Sequence, residues 1–305
     1  MSNNGIKQKP SKTAFFNVLH RALAHKIHQD SPFGPDSLAE FFLPPHYRFF
    51  LRFKSIQNNT KEKLNRYFPG LHEYVIARTA YFDELFVRAL KNHTPQIVLL
   101  GAGYDTRAYR FGALNENTRI YELDSPRTQN SKIICLNRAK IAIPKQVNFV
   151  PIDFLKDSLP EVLKTAGFQD QDKTLFIWEG VSYYLDRESV DETLSFFSQF
   201  TQKDSSLAFD YIISTPEADL GDYYGAKEFL QTMKEYHADE ELMFSIGEGE
   251  IESFLNARNL RLIEHSNTKA IERAYLVDDA GDLLGPITAL FRFVIAAHLP
   301  NYASH

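Results

Sequence analysis

The sequence predicts an α/β fold in which helices cover both faces of a mostly parallel sheet of seven strands. From residue 96 onward, short β-branched and aliphatic runs alternate with longer amphipathic stretches, a pattern typical of repeated strand–helix units. The strands are predicted at residues 96–100, 118–122, 147–151, 174–178, 207–213, 260–265 and 287–297. An acidic, glycine-containing turn at about residues 278–285 precedes the last run, so we expect a terminal hairpin with one antiparallel strand.

Two segments depart from this alternation. Residues 1–95 are predicted to form a mainly helical cap over the strand ends, and residues 96–305 to form the sheet-containing domain. An insertion at about residues 214–244 carries Tyr223 and Tyr224 and is too long for an ordinary strand connection. We therefore expect it to act as a lid or to shape a substrate pocket.

Composition and charge argue against several classes of partner. The chain has 305 residues, 34 basic and 39 acidic, and its formal net charge of -5 predicts no general attraction to nucleic acid or anionic membranes. Cys135 is the only cysteine, which excludes an intramolecular disulfide and a thiolate metal cluster within one chain. The polar first 12 residues and the absence of a long apolar run predict neither secretion nor membrane insertion, so a cytoplasmic location is expected.

Three histidines, His20, His25 and His28, fall close together on a predicted helix. No carboxylates stand near them at metal-ligand spacing, so we expect surface or capping roles and no metal site. The sequence does not indicate how many chains assemble.

A glycine-rich loop follows the first predicted strand. The strand runs directly into Gly101 and Gly103, and Asp105 is placed to cap the next helix. Glycine lets the chain turn sharply and lets a ligand approach bare backbone beside a helix N-terminus. Two carboxylates at the end of the next strand, Glu122 and Asp124, stand 21 and 23 residues after Gly101. An acidic side chain at this distance binds ribose hydroxyls, and the spacing leaves both candidates open.

Thr106 stands where a dinucleotide-binding loop would place its third glycine. A ligand with one ribose and no pyrophosphate does not need that phosphate-binding turn. We therefore predict S-adenosyl-L-methionine as the cofactor, and a nicotinamide-dependent oxidoreductase is the less favoured alternative.

Arg78 lies in the apolar stripe of a helix predicted at residues 71–90. A guanidinium in this place is costly unless an anion pairs with it. One interpretation is an internal salt bridge or a side chain that extends to the surface. The other is a contact with the amino-acid carboxylate of the predicted cofactor.

Further candidates follow the third and fourth predicted strands, because ligands of open parallel sheets bind beyond the carboxyl ends of the strands. Asp153 and Phe154 could contact adenine, although Asp153 could instead cap a turn. Glu179 could face the amino group or the ribose of the cofactor. Tyr183 and Tyr184 could line the acceptor pocket, with core packing as the alternative for at least one of them.

Several motifs occur in an order that can be compared with known families. They are Thr13-Ala14 with Arg21-Ala22, Ala77-Arg78-Thr79 followed by Phe82-Asp83, the octapeptide of residues 100–107, Glu122-Leu123-Asp124 with Pro126, Asp153, Trp178-Glu179-Gly180-Val181 and Phe244-Ser245-Ile246-Gly247. In this order they resemble bacterial proteins similar to leucine carboxyl methyltransferase, a family that includes polyketide carboxyl methyltransferases of the tetracenomycin type. The resemblance covers nearly the whole chain and implies a Rossmann-like class I methyltransferase.

The resemblance also implies roles for individual residues. Arg78 would hold the methionine carboxylate, and Gly101 and Gly103 would lie behind the methionine moiety. Asp124, in preference to Glu122, would bind ribose. Asp153 and Phe154 would contact adenine. Glu179 would complete the cofactor site.

The predicted activity is methyl transfer to an oxygen of a small molecule, preferentially a carboxylate such as that of a polyketide or another secondary metabolite. Methylation of a protein C-terminal carboxylate and a non-catalytic ligand-binding role are the alternatives. An ionised carboxylate needs no general base, whereas a phenol would benefit from one. No catalytic residue is assigned, and the pocket candidates are Tyr183, Tyr184, Asp210 and Tyr211.

Overall fold

The fold is seen in a computed structural model that describes residues 12–28, 33–34, 36–154, 156–236 and 241–300. Residues 1–11, 29–32 and 35 of the predicted cap, residues 237–240 of the predicted insertion, and residues 155 and 301–305 lie outside the described residues. The described helices are α1 (Lys12–Ile27), α2 (Pro45–Phe50), α3 (Lys54–Tyr67), α4 (Leu71–Lys91), α5 (Arg107–Arg110), α6 (Pro126–Ala139), α7 (Leu159–Thr165), α8 (Arg187–Phe200), α9 (Ala226–Tyr236), α10 (Ile251–Asn256) and α11 (Thr268–Tyr275). The described strands are β1 (Gln96–Leu100), β2 (Arg119–Asp124), β3 (Val147–Pro151), β4 (Thr174–Trp178), β5 (Ser206–Ser214), β6 (Ile246–Gly247), β7 (Leu260–Asn267) and β8 (Phe291–His298).

The strands form one sheet in the order β3-β2-β1-β4-β5-β8-β7, and the two-residue strand β6 pairs with the end of β5. Strand β8 is antiparallel to both of its neighbours, and the other pairings are parallel. The predicted α/β fold class is confirmed. Every position of β1 and β4 is buried, as expected for central parallel strands with helices on both faces.

The antiparallel last strand is confirmed, but the short turn that was predicted to be its only connection to the preceding strand is wrong. Strands β7 and β8 pair with each other, but α11 and a further loop separate them in the chain. The side chain of Asn267 accepts a hydrogen bond from the backbone of Ala270 and so caps the start of α11, while Ile271 is buried. Ile287 and Thr288 lie in a loop instead of the strand, because Thr288 donates its backbone N–H to Gly70 at the start of α4.

The order of the strands fixes where a ligand can bind. Successive crossovers run outward in opposite directions from the β1–β4 pair, so the loops that follow β1 and β4 diverge at the carboxyl end of the sheet. Open α/β sheets bind ligands at such a switch point. The loop after β1 begins at Gly101, and the loop after β4 begins at Glu179.

The helical segment, α1 to α4, contacts this end of the sheet through α4. Tyr74 of α4 stacks on Phe291 of β8, with ring centroids 3.7 Å apart. In the insertion, Phe229 of α9 contacts both Phe68 at the end of α3 and Phe291. The helical segment and the insertion therefore meet beside the switch point. No helix in the described part of the chain is both long and apolar enough to cross a bilayer.

Candidate cofactor and acceptor site

The loop after β1 is held against the end of β2. The backbone N–H of Gly103 donates to Oδ2 of Asp124 at 2.6 Å, and the N–H of Ser125 donates to Oδ1 at 2.7 Å. Burial raises the pKa of the Asp124 carboxyl group, and these two donors oppose the increase. Gly103 has φ +46°, and a Cβ at this position would meet no atom closer than 3.8 Å. A side chain at this position would lie in ordinary contact with Ala14 of α1, so the positive φ is what favours glycine here.

Gly101 is required for a different reason. Its φ is +69°, and a Cβ there would lie 2.5 Å from a methyl carbon of Val181. The loops after β1 and β4 consequently approach each other so closely that a side chain would not fit between them.

Glu122 belongs to a buried ion pair instead of this loop. Its Oε2 lies 2.6 Å from Nζ of Lys132 on α6, and both side chains are 1% exposed. Tyr109 donates its hydroxyl to the same carboxylate at 3.2 Å. Burial raises the pKa of Glu122, and Lys132 opposes the increase. Of the two carboxylates left open by spacing, the structure places Asp124 at the glycine loop.

Arg78 and Glu179 form an ion pair at the switch point, with 3.0 Å between Nε and Oε1. The Arg78 side chain is 5% exposed, so an internal salt bridge, one of its two interpretations, is present. The N–H at Nε is nevertheless not aligned to donate a hydrogen bond to a described acceptor. The other oxygen of Glu179, Oε2, lies 2.7 Å from Nη1 of Arg107. Glu179 therefore lies between two guanidinium groups.

Asp210 provides a second carboxylate on the inner side of Arg78. It is fully buried, with Oδ2 3.6 Å from Nη1 of Arg78. It accepts hydrogen bonds from the backbone N–H of Gly180, at 2.6 Å, and from the hydroxyl of Tyr74. Burial raises the pKa of Asp210, and the positive charge of Arg78 opposes the increase.

Arg78 also packs on bare backbone. Gly180 has φ +70°, and a Cβ there would lie 2.8 Å from Nη1 of Arg78. The same guanidinium donates to Tyr183 Oη at 3.3 Å and to Asn17 Oδ1 at 3.0 Å. Side chains from α1, α4 and the loop after β4 thus converge on one cation.

A chain of buried ion pairs extends from this cluster toward α1. Arg107 contacts both Asp105 and Asp83, with 2.8 Å between its Nε and Oδ1 of Asp83. Arg110 reaches the other oxygen of Asp83 at 2.6 Å. The side chain of Asp36 then lies 3.5 Å from Arg110 and 3.0 Å from the guanidinium of Arg21 on α1. Sequence reasoning assigned no role to Arg107, although oppositely charged residues in two motifs, Arg107 and Asp83, could have suggested a pair.

Asp153 and Phe154 lie just beyond β3. The Asp153 side chain is 42% exposed, and its Oδ2 is 2.6 Å from Nζ of Lys156. Its backbone carbonyl accepts hydrogen bonds from the N–H groups of Lys156 and Asp157, so Asp153 occupies the turn that the sequence left open as an alternative. Phe154 is half-buried and packs against the main hydrophobic core.

An aromatic pocket adjoins the Arg78 cluster, and we call it the acceptor pocket. Its apolar lining comes from Phe16, Phe68, Leu71, Phe229, Met233 and Phe291, and its polar lining from Thr13, Asn17, Tyr74, Arg78, Tyr183 and Tyr184. Arg78 is the only charged residue in this described lining. Two of the predicted pocket candidates, Tyr183 and Tyr184, therefore line it.

The other two pocket candidates do not line it. Asp210 contacts the lining only from behind, through Tyr74 and Arg78. Tyr211 is buried on the opposite face of β5, where its hydroxyl lies 3.2 Å from Nε2 of His265. Successive residues of a strand point to opposite faces, so Asp210 and Tyr211 cannot both face the pocket.

Two histidines are buried behind the acceptor pocket. Nδ1 of His20 on α1 lies 3.1 Å from Nδ1 of His72 on α4, and neither side chain is more than 1% exposed. The surface or capping role predicted for His20 is therefore wrong, because this face of α1 packs on α4. His25 does bind backbone, through the carbonyl of Gly34 at 2.8 Å. Within the described ranges, no group of three or more His, Cys, Asp or Glu side chains is arranged to hold a metal ion.

The histidine pair predicts a loss of stability in acid. Burial lowers the pKa of His20 from 6.5 to about 3 and lowers that of His72 well below 6.5, so the folded protein keeps both neutral. Above pH 6.5 this pair does not reduce the free energy of unfolding. As the pH falls from 6.5 toward 3 the free energy of unfolding decreases, because the unfolded chain binds protons at these histidines and the folded chain does not. The expected slope is up to about 1.4 kcal/mol per pH unit for each histidine.

This slope can be measured as the difference between the wild type and the double variant His20→Gln/His72→Gln. Urea unfolding over the acid range should show a shallower decline in the free energy of unfolding for the variant. The difference is the informative quantity because carboxyl groups titrate in the same range. Identical slopes would show that the pair does not titrate as a buried neutral unit.

Comparison with known proteins found a matching family model, related sequences and similar structures. The model of the family described as leucine carboxyl methyltransferase matches residues 14–198. A Bacillus subtilis (strain 168) protein named as a candidate S-adenosyl-L-methionine-dependent methyltransferase is 32% identical over 192 residues, which are 62% of this chain and 62% of that protein. A Mycolicibacterium gilvum protein of the same name is 37% identical over 149 residues, which are 49% of this chain and 58% of that protein. The chain thus spans less than two thirds of the length of either relative.

Solved structures show the same fold. A Thermobifida fusca crystal structure, described as that of a candidate methyltransferase, superposes with a TM-score of 0.59 at 15% identity and covers 96% of both chains. A protein of the DUF574 family from Streptomyces avermitilis gives a TM-score of 0.57 at 15% identity, covering 80% of this chain and 91% of that one. These likenesses bear on the fold alone.

Proposed function

Because the chain belongs to the leucine carboxyl methyltransferase family, we propose that it is a methyltransferase that methylates an oxygen of a small molecule, preferentially a carboxylate. The predicted cofactor, S-adenosyl-L-methionine, is the one for which the relatives are named. The observation that carries the proposal is the position of Arg78, which lines the acceptor pocket and packs on Gly180 in the loop after β4. We also propose a cytoplasmic location, in keeping with the single cysteine.

The residues at the switch point fit this cofactor. Gly103 contributes backbone without a side chain, and its N–H donates to Asp124, which offers a carboxylate next to it. Arg78 would hold the methionine carboxylate, since its Nε–H has no aligned acceptor among the described residues. Glu179 would hold Arg78 in place and could accept a hydrogen bond from the amino group of the cofactor. Asp153 and Phe154, beyond the neighbouring strand β3, would meet the adenine end.

The acceptor pocket supports a carboxylate as the methyl acceptor. When bound, the cofactor supplies an electrophilic methyl group on a sulfonium. An acceptor carboxylate is already ionised at neutral pH, so it can attack without a general base. Asp210 does not line the pocket and is engaged by Tyr74, Gly180 and Arg78, so no unengaged carboxylate base adjoins the described lining.

Positioning would supply most of the acceleration. The aromatic lining can hold an apolar acceptor and exclude water, and near-attack alignment can contribute about 7–11 kcal/mol. The pocket is bounded on several sides by side chains from α1, α4, α9 and β8, which favours a small molecule over a protein chain end as the acceptor.

The chemical stability of the product tests this proposal. The protein would be incubated with methyl-labelled S-adenosyl-L-methionine and with pairs of aromatic acceptors that carry either a carboxylate or a phenol. A methyl ester releases labelled methanol in alkali, whereas an aryl methyl ether does not. We expect alkali-labile label that depends on the carboxylate. Label that is stable to alkali would contradict the carboxylate, and the absence of any binding heat with the cofactor would contradict the activity itself.

Asp124 and Glu122 give a matched pair of variants for the ribose contact. Asp124→Asn is expected to weaken cofactor binding about 10- to 150-fold, because a hydrogen bond to a charged group contributes about 1.5–3 kcal/mol. Glu122→Gln should lower the melting temperature but leave the dissociation constant close to that of the wild type, because its partner is Lys132. Titration calorimetry measures both constants. A larger loss of affinity for Glu122→Gln than for Asp124→Asn would reverse the assignment.

A further inference from the structure

The outer side of the helical segment carries a cluster of exposed phenylalanine rings. We call it the α2 tip and define it as Phe49, Phe50, Phe53, Arg52 and Lys54. The three phenylalanines are 53%, 49% and 47% exposed, and the Phe49 ring lies 5.7 Å from Phe50 and 5.5 Å from Phe53. No residue of α2 is buried. An apolar patch of a few hundred Å² is about as large as typical monomers carry, and such patches are often functional.

The charge around the α2 tip is opposite in sign to that of the whole chain. Residues 41–61 contain four basic residues, Arg48, Arg52, Lys54 and Lys61, and no acidic residue, whereas the chain carries a net charge of -5. Arg48 and Lys61 have acidic neighbours at 3.9 Å and 3.6 Å. Arg52 and Lys54 are exposed and form no ion pair with the described residues. They are therefore available to an anionic partner.

The size of the α2 tip favours a lipid surface over a protein partner. A phenylalanine side chain buries at most about 150–250 Å², so three half-exposed rings offer a few hundred Å² in all. A stable protein interface needs about 800 Å² on each partner. Aromatic rings interleaved with basic side chains are instead typical of segments that lie in the headgroup region of an anionic membrane.

The α2 tip and the acceptor pocket share one helix as their support. Leu51, beside the tip, packs in a small core with Leu19 and Leu23 of α1. Tyr47 of α2 contacts Phe15 of α1, with ring centroids 5.4 Å apart, and the next residue, Phe16, lines the pocket. One side of α1 thus carries the tip, and another side lines the pocket.

We propose that the α2 tip docks the protein on anionic lipid membranes, with the three phenylalanine rings among the headgroups and Arg52 and Lys54 against the lipid phosphates. The attachment is peripheral and reversible, because so few rings insert. The net charge predicts no attraction to membranes for the molecule as a whole, but charges further than about 10 Å from the surface are screened at ordinary salt. The local positive charge therefore decides the contact.

Co-sedimentation of the full-length protein with vesicles tests the proposal. We expect binding to vesicles of phosphatidylcholine with phosphatidylglycerol, and little binding to phosphatidylcholine alone. Raising the salt concentration from about 0.1 M to about 1 M shortens the Debye length from about 10 Å to about 3 Å and should release the protein. Arg52→Gln/Lys54→Gln should weaken binding about fivefold for each charge removed.

The apolar part of the contact has a matched control. Phe49→Ser/Phe53→Ser should abolish vesicle binding, whereas Phe200→Ser should leave it unchanged, since Phe200 is 51% exposed on α8 and away from the basic segment. Melting temperatures establish that both variants fold. Equal binding by the tip variant and the control, or no binding of the wild type to anionic vesicles, would overturn the proposal. So would a dimer in sedimentation velocity that Phe49→Ser/Phe53→Ser dissociates, because the tip would then be a protein interface.

Discussion

Replacing Arg78 with alanine is expected to weaken S-adenosyl-L-methionine binding about 10- to 150-fold, the loss that corresponds to one charged hydrogen bond of about 1.5–3 kcal/mol. The same change should lower the free energy of unfolding by about 3–5 kcal/mol, since a buried carboxylate would lose its cation. The two carboxylates concerned are Glu179, at 3.0 Å, and Asp210, at 3.6 Å. Titration calorimetry and urea unfolding measure the two effects separately.

Arg78→Lys is the control that keeps the charge. An ammonium can pair with Asp210 or Glu179 but cannot present the planar set of donors that a guanidinium offers to several acceptors. We therefore expect Arg78→Lys to recover part of the stability and little of the affinity. A folded Arg78→Lys protein with wild-type affinity would mean that Arg78 only neutralises its two carboxylate neighbours and does not bind the cofactor.

The central sheet could be predicted closely because burial on both faces leaves a simple pattern. Strands β1 and β4, which are buried at every position, begin and end at the predicted residues. The edge strand β3 also keeps its predicted bounds, although it is mostly half-buried. The rule that ligands bind beyond the carboxyl ends of strands then placed Asp124 and Glu179 at the correct edge of the sheet. The periodicity of apolar residues identifies the buried face of an element, and the ends of the parallel strands identify the edge of the sheet where a ligand can bind.

The partners of charged residues could not be predicted in the same way. Arg107 and Asp83 are 24 residues apart and lie on different helices, and no periodic pattern relates them. The partners of Arg78 were also hidden. Its place on an apolar stripe indicated that an anion must lie near it, but did not indicate that both Glu179 and Asp210 would be its partners. The side-chain contacts between elements depend on packing that one sequence does not encode locally.

The insertion also contributes different residues from those that its sequence suggested. Tyr223 and Tyr224 were the conspicuous aromatics, yet the described pocket lining takes Phe229 and Met233 of α9 instead. Gly225 has φ +70°, and a Cβ there would lie 2.4 Å from the carbonyl oxygen of Pro69, so the chain turns tightly against the end of α3. This close approach directs the apolar face of α9 into the pocket and leaves Tyr224 44% exposed.

Arg107 should be as important for stability as Arg78, although it is not expected to touch the cofactor. It is 2% exposed and contacts three carboxylates, those of Asp83, Asp105 and Glu179. Arg107→Ala leaves these groups with one cation fewer in a buried region, and we expect the free energy of unfolding to fall by about 3–5 kcal/mol. Glu179 would lose the partner that holds its Oε2, so cofactor affinity should fall as well.

A surface pair of similar geometry provides the comparison. Arg119 lies 2.6 Å from Asp172, but these side chains are 38% and 39% exposed, so Arg119→Ala should cost only about 0–1 kcal/mol. Urea unfolding of both variants decides whether burial controls the effect, because the two ion pairs have similar distances. Equal losses of stability would show that the ion-pair chain from Arg21 to Asp210 contributes no more than ordinary surface charge pairs. A much larger loss of stability for Arg107→Ala than for Arg119→Ala, together with weaker cofactor binding, would show that these buried ion pairs stabilise the fold and hold Glu179 in position.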